Sequence, residues 1–256
     1  MRVYSAIRIG ESHVDRQTPC DDRILVDGKL YEDGYHEAQL EGACVLAVSD
    51  GVGGTGCGFK AAETALMHMA EWDCSELDGE DLIIAGAQEI NRTVVAVRQE
   101  KEWYGTAATL SAVVFTEDKT YLIHAGDSRI TQKRTLQGHT FFRQLTQDQD
   151  RLQQWLAEED DVTEDELKQR RGWNQIWGYL GLPEDEFLQA CVIEPVISGK
   201  MLILTTDGIH DYIDKKVLYK VLDETGEWKE KLDNIMRIAR ENGSKDDQSI
   251  IVIEDM

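Results

Sequence analysis

The chain has 256 residues, 41% hydrophobic and 30% charged, enough apolar material for one substantial core and not the composition of a disordered chain. Its 49 acidic residues against 27 basic ones give a formal charge of −22, which repels nucleic-acid backbones and anionic lipid headgroups and sets both aside as partners. No apolar run approaches the ~20 residues of a membrane span, and the five cysteines, odd in number and without C-x-x-C spacing, read as small hydrophobes in a reducing cytoplasm, not as a disulfide framework or a zinc site.

Residues 2–9 alternate weakly and read as a strand, and residues 23–26 as a second, stopped by the hairpin signal Asp27-Gly28. Residues 43–49 (A-C-V-L-A-V-S) form a nearly continuous apolar run, as expected of a strand buried on both faces. A glycine-rich turn follows, with Gly51, Gly53, Gly54, Gly56 and Gly58. Residues 60–72 then have helical spacing, with Ala61, Ala65, Leu66 and Met69 on one face, and a second helix is expected at about 81–98. Strands are expected at 107–115, 120–125, 129–133 and 141–145, with turns at Glu117-Asp118 and Gly138. Over 148–181 acidic helix-formers surround Trp155, Trp173 and Trp177, which reads as a helical insert between strands. Strands at 190–196 and 200–205, helices at about 214–222 and 229–241, and a strand at 249–254 complete the order. No Gly/Ser-rich or Pro-rich linker divides the chain, so residues 1–256 are expected to form a single α+β domain, layered and without regular βαβ alternation.

Three apolar runs lead straight into a Gly-containing corner with an aspartate in it, at Asp50-Gly51, Gly126-Asp127 and Asp207-Gly208. A fourth corner places Asp246 and Asp247 at the mouth of the last strand. One Asp-Gly at a strand end is usually a turn former, as at Asp27-Gly28. Repetition changes the reading, because neighbouring buried strands would gather these carboxylates into one small volume. Carboxylates so close raise one another's pKa unless cations sit among them. An oxygen-only ligand set suits Mg²⁺ or Mn²⁺, and a pair of such ions can activate water against a phosphate ester.

The stretches S-D-G-V-G-G (49–54), G-T-A-A-T (105–109), H-A-G-D-S-R (124–129), Q-L-T-Q-D (144–148), L-T-T-D-G (204–208) and D-D-Q-S-I-I-V-I (246–253) resemble the ordered motif series of the metal-dependent protein phosphatases of the 2C type. The match runs from about residue 16 to 254, with six strings in the right order. It implies a four-layer α-β-β-α sandwich, a central antiparallel β-sandwich flanked by helices, with a dinuclear Mn²⁺ or Mg²⁺ centre at one edge. The resemblance makes Asp50 the residue bridging both ions, with the Gly51 carbonyl on one of them and Asp207 and Asp246 on the other. Asp127 falls near a third, weaker metal position, and Asp21 where the family has a Glu or Gln that binds metal through water. Asp22 would stand behind the ligands and orient those waters. Asp247, also behind them, replaces a common Asn after the last ligand. Arg16 is the candidate for holding the substrate phosphate. It lies one residue further upstream than the family pattern, with Pro19 intervening and Cys20 in the place of an Asn, so Arg23 and Arg2 stay open as alternatives. Val52 stands where many eukaryotic members carry a His and where bacterial members commonly carry an apolar residue, so the resemblance is to a bacterial-type enzyme. The insert at 148–181 falls at the family's flap.

The implied activity is hydrolysis of phosphoserine and phosphothreonine in a protein substrate by a metal-bridging hydroxide, in a cytoplasmic enzyme opposing a kinase. The alternatives are a catalytically silent binding protein of the same fold and a hydrolase of small phosphomonoesters. A thiol-based phosphatase is set aside because no cysteine is followed six residues later by arginine, and a nucleotide-binding kinase because no G-x-x-x-x-G-K-[ST] occurs. The six histidines, His13, His36, His68, His124, His139 and His210, match no motif and read as structural or solvent-facing. The tryptophans of the insert are expected to anchor it more than to form a substrate platform, and Lys168 to Arg171 to be a solvated helix end.

Overall fold

The computed structural model describes residues 1–52, 57–137, 139–193 and 201–255. Gly53, Gly54 and Gly56 of the glycine-rich turn, the turn at Gly138, and residues 194–196 and 200 of two expected strands lie outside the described residues.

Strand β1 (Arg2–Arg8) runs into a short helix α1 (Glu11–Arg16), which the sequence pattern missed because six residues are too few to display a helical period. Strands β2 (Arg23–Val26) and β3 (Lys29–Tyr31) form the hairpin signalled by Asp27-Gly28, both of which take positive φ as a type I′ turn requires. Strand β4 (Gly34–Gln39) was also unread, since as an edge strand with mixed exposure it carries no clean alternation. Strand β5 (Cys44–Ser49) is followed by the short β6 (Gly51–Val52) and by helices α2 (Gly58–Ala70) and α3 (Glu80–Glu100).

The strand expected over 107–115 is broken at Thr109 into β7 (Ala107–Ala108) and β8 (Leu110–Phe115). Below the break the chain pairs with β5; above it, β7 pairs with β6 instead. Strands β9 (Thr120–Ala125), β10 (Arg129–Leu136) and β11 (His139–Gln144) follow. The insert is helical only in α4 (Arg151–Glu158) and α5 (Glu164–Leu167), each started by a side-chain cap, Asp150 for the first and a Thr163/Glu166 capping box for the second. The remainder is turns and a bridge between Asp150 and Ile176. Strands β12 (Gln189–Ile193) and β13 (Met201–Thr205), helices α6 (Asp207–His210), α7 (Lys215–Asp223) and α8 (Trp228–Glu241), and strand β14 (Gln248–Glu254) complete the chain.

Two six-stranded antiparallel sheets result, in the orders β11-β10-β13-β14-β1-β4 and β12-β9-β8-β5-β2-β3. Their facing sides bury Ile24, Leu46, Val48, Val113, Leu204 and Ile251 between them. Val45, Ala47, Ala112 and Val114, alternate residues of the same strands, turn outward under Leu66 and Met69 of α2 and Ile83 and Ile90 of α3. On the far side, Ile203, Ile250 and Val252 meet Leu218, Leu232 and Ile235 of α7 and α8. The continuous apolar run in β5 follows from this geometry, because its strand has a hydrophobic layer on each face. The four layers α-β-β-α match the sandwich implied by the sequence motifs. Among the described residues no helix is long and apolar enough to cross a membrane. Of the cysteines, Cys20 and Cys74 are buried and Cys191 is exposed.

Candidate metal centre

The ends of several strands converge on one cavity of about 250 Å³. Asp50 leaves β5, Asp207 opens α6 directly after β13, and Asp246 lies just before β14. Asp127 turns between β9 and β10, and Asp21 precedes β2. All five line the cavity with Gly51 and Arg16, so every residue the sequence assigned as ligand or phosphate holder is brought together. Asp22 and Asp247 lie behind the wall, 1% and 2% exposed. Asp22 Oδ2 accepts from Thr206 Oγ1 at 2.8 Å and Ser249 Oγ at 2.6 Å, tying the start of α6 to β14. Asp247 accepts from the backbone N–H groups of Gly10 at 2.6 Å and Asp21 at 2.5 Å, tying the N-terminal segment to the last loop.

Backbone contacts fix the ligand-bearing corners. Asp50 N–H donates to Thr109 Oγ1 at 2.9 Å, and Thr109 N–H donates to the Asp50 carbonyl at 2.8 Å, which explains the break in the strand there. The Gly51 N–H donates to the Asp21 carbonyl at 3.1 Å. At the first turn of α2, Phe59 N–H donates to Asp21 Oδ1 at 2.8 Å, aiming a helix N-terminus at that carboxylate. Gly51 and Gly58 touch backbone to backbone, a Cβ on Gly51 falling 2.2 Å from the Gly58 carbonyl carbon. No other residue fits that approach.

Burial pushes the Asp50 and Asp207 carboxyls well above the usual range, and their acidic neighbours push them further. Asp127 is pushed up to about 8 by burial, then by Asp211, Asp148 and Asp150. One oxygen of Asp207, Oδ1, is buried without a hydrogen-bond partner. Such mutually repelling, oxygen-only groups, one of them an orphaned acceptor, fit a hard divalent cation. Among the described residues no three His, Cys, Asp or Glu side chains lie close enough together to hold a metal ion by themselves. The aspartates instead ring the cavity, an arrangement that Mg²⁺ and Mn²⁺, which keep bound waters, accept.

The same charges predict a pH signature. Asp127, at about 8, and Asp211, raised by burial to about 6, hold protons in the folded chain that the unfolded chain has released. Their contribution to stability is therefore full below pH ~4 and is lost as pH rises through about 6 and 8. A divalent ion in the cavity would displace the proton of Asp127, so the gain in melting temperature on adding Mn²⁺ is expected to be larger at pH 7.5 than at pH 5.5. Thermal scans at both values with and without the ion check this, and an equal gain would contradict it.

Of the three arginines the sequence left open, one lines the cavity. Arg16, on the last turn of α1, lines the cavity and anchors its Nε on the Ser12 carbonyl at 2.8 Å. Arg23 is buried and donates to the carbonyls of Cys20 and Asp22, and Arg2 pairs with Asp255 at 2.6 Å on the last strand's edge. Neither lines the cavity. His13 is one of the histidines in a structural place. It is buried in the cavity wall, Nε2 lying 3.1 Å from Asp21 Oδ2 and Nδ1 3.1 Å from Asp247 Oδ2. No local signal marked it, because its partners come from distant segments. Asp211, whose charge bears on Asp127, was also missed, because the short helix α6 that sets it one turn after Asp207 was not expected.

The insert packs on the rim. Arg129 grips Asp148 with Nε and Nη2, at 2.5–3.0 Å, fastening the insert's first residue to β10. Arg151 and Arg170 lie over the Trp155 ring and Lys168 over Trp173, while Trp177 is exposed. Two of the three tryptophans are therefore engaged by cations of the insert itself. Lys168 and Arg170 are held by Glu164 and Glu159, as expected of a solvated surface. Asn174 and Ile176, unremarked in the sequence, reach the cavity wall.

A family model described as protein phosphatase 2C matches residues 9–248. The serine/threonine protein phosphatase PstP of Mycobacterium tuberculosis is 26% identical over 231 residues, covering 89% of this chain and 43% of PstP. The chain thus spans less than half the length of that relative. The solved serine/threonine phosphatase of S. agalactiae superposes with a TM-score of 0.79 at 22% identity, over 100% of both chains. The catalytic domain of PstP, solved in complex with two manganese ions, gives a TM-score of 0.71 at 21% identity over 98% of each chain. At these identities the solved structures establish the fold.

Proposed function

The chain belongs to the protein phosphatase 2C family, and on that premise we propose that it hydrolyses phosphoserine and phosphothreonine in protein substrates with the help of divalent metal ions. The observation that carries this reading is the convergence of Asp21, Asp50, Gly51, Asp127, Asp207 and Asp246 on one cavity that also holds Arg16. Asp50, Asp207 and Asp246, with the Gly51 carbonyl, would hold two Mn²⁺ or Mg²⁺ ions, Asp21 would hold metal through water, and Asp127 would serve a third, weaker position. Bound there, the ions supply the positive charge and water activation that phosphate-ester hydrolysis needs. The manganese pair in the PstP catalytic domain supports the choice of metal.

The protein's own groups do the positioning. Asp22 and Asp247 lock the loops carrying the ligands through Thr206, Ser249, Gly10 and Asp21, so the carboxylates face one another before substrate arrives. Arg16 binds the non-bridging oxygens of the phosphate and holds the ester in line for attack. Substrates of this class are products of serine/threonine kinases, and free thiols fit a reducing cytoplasm.

The test is hydrolysis of p-nitrophenyl phosphate and a phosphothreonine peptide with Mn²⁺, with Mg²⁺ and with chelator. Turnover that requires metal is expected; a folded protein inert with every metal would instead be a binding protein of this fold. Arg16→Ala is expected to lower kcat/KM by roughly 10- to 100-fold, with Arg16→Lys recovering part of it. Variants as active as the native protein would remove Arg16 from phosphate binding.

A further inference from the structure

We propose that a groove beside the metal cavity seats the substrate chain next to its phosphorylated residue, and that Arg98 there selects an acidic side chain. The inference rests on the phosphatase reading above and names a substrate class for it.

The groove measures about 460 Å³ and shares Val52, Asn174 and Ile176 with the wall of the metal cavity. From that shared wall it continues past Ala107 and Tyr179 to Arg98. A peptide whose phosphorylated side chain enters the cavity therefore has a channel for its neighbouring residues.

Arg98 is the one charged side chain among the described residues that line the groove. Standing near the end of α3, it donates from Nη1 to the Thr106 carbonyl at 3.3 Å. The same nitrogen lies 3.1 Å from where a Cβ on Gly181 would be, so one edge of the guanidinium is fixed where the insert rejoins the body. No carboxylate among the described residues pairs with it. Other cations near the site are already engaged. Arg129 holds Asp148, Lys168 holds Glu164 and Arg170 holds Glu159. A second groove across the insert contains Lys215 and Lys216, but Glu164, Asp165, Asp211 and Asp214 line it too and cancel their attraction. On a chain with net charge −22, a positioned, unpaired guanidinium in a groove without carboxylates is a local inversion of the surrounding field. An acidic side chain on the substrate is the group it would take.

The experiment measures kcat/KM with Mn²⁺ for phosphothreonine peptides carrying Glu, Gln or Lys at each position flanking the phosphoresidue. At one or two adjacent positions Glu is expected to exceed Gln by about three- to tenfold, the ratio shrinking as salt is raised. In Arg98→Gln the ratio falls to near unity, and in Arg98→Glu it turns over in favour of Lys. Because the ratio is taken within each variant, a change in overall turnover or in the folded fraction does not move it. A native ratio near unity, or an acidic preference that survives Arg98→Gln, overturns the inference while turnover of p-nitrophenyl phosphate leaves the phosphatase reading standing. Failure to turn over p-nitrophenyl phosphate and every peptide overturns that reading, and the inference with it.

Discussion

Asp50→Asn is expected to lower Mn²⁺-dependent hydrolysis of p-nitrophenyl phosphate by about two to three orders of magnitude while raising the melting temperature of the metal-free protein. Asparagine keeps the shape of the side chain and removes its charge. Asp50 leaves β5 toward the centre of the carboxylate ring, with Asp22, Asp207, Asp246 and Asp127 all opposing its ionisation. Without cations that crowding destabilises the fold, so deleting one charge relieves it. With cations the same charge would be the attraction that holds them, and losing a preorganised electrostatic group at a reacting centre costs on the order of 10²–10³ in turnover. Opposite signs for activity and metal-free stability are the signature of a functional cluster, one whose members are strained for their task. Parallel kinetics and thermal melts read both quantities. A variant within tenfold of native turnover would show that Asp50 does not hold the catalytic ions.

Gly208→Ala is expected to lower activity at least 100-fold and to reduce stability by about 1–3 kcal/mol, the cost of overpacking a tight site. A Cβ at position 208 would lie 1.8 Å from the Asp247 carbonyl oxygen and 3.4 Å from Asp246 Cβ. The strain cannot be absorbed by a flexible side chain, because the obstacle is backbone. Ser244 Oγ also donates to the Gly208 carbonyl at 2.8 Å, clamping the corner from the other side. Relief must come from moving the loop that carries Asp246 away from Asp207, which separates two expected ligands of one ion. Chemical denaturation, with kcat measured on the folded protein, tests both halves. Full activity in a stable Gly208→Ala protein would mean that the two loops need not approach so closely.

What the sequence determined was what can be written into a few consecutive residues. The apolar run of β5, the helical spacing of α2 and α3 and the Asp27-Gly28 hairpin are local patterns with local causes, and they placed most elements. The repeated strand-end aspartates likewise announced a carboxylate cluster, since each corner carries its own turn chemistry. The edge strand β4 and the six-residue α1 escaped because one lacks alternation and the other lacks length. Tertiary structure alone decided the rest. Breaking the strand at Thr109 depends on its hydrogen bonds to Asp50, and that Arg16 lines the cavity while Arg23 is held by backbone carbonyls depends on how distant segments come together. His13 between Asp21 and Asp247, and Gly10 bonded to Asp247 across 237 residues of sequence, join groups that no local pattern relates. Their juxtaposition follows from β1 and β14 pairing as neighbours in one sheet, a long-range contact whose energy comes from burying the hydrophobic layers on its two faces.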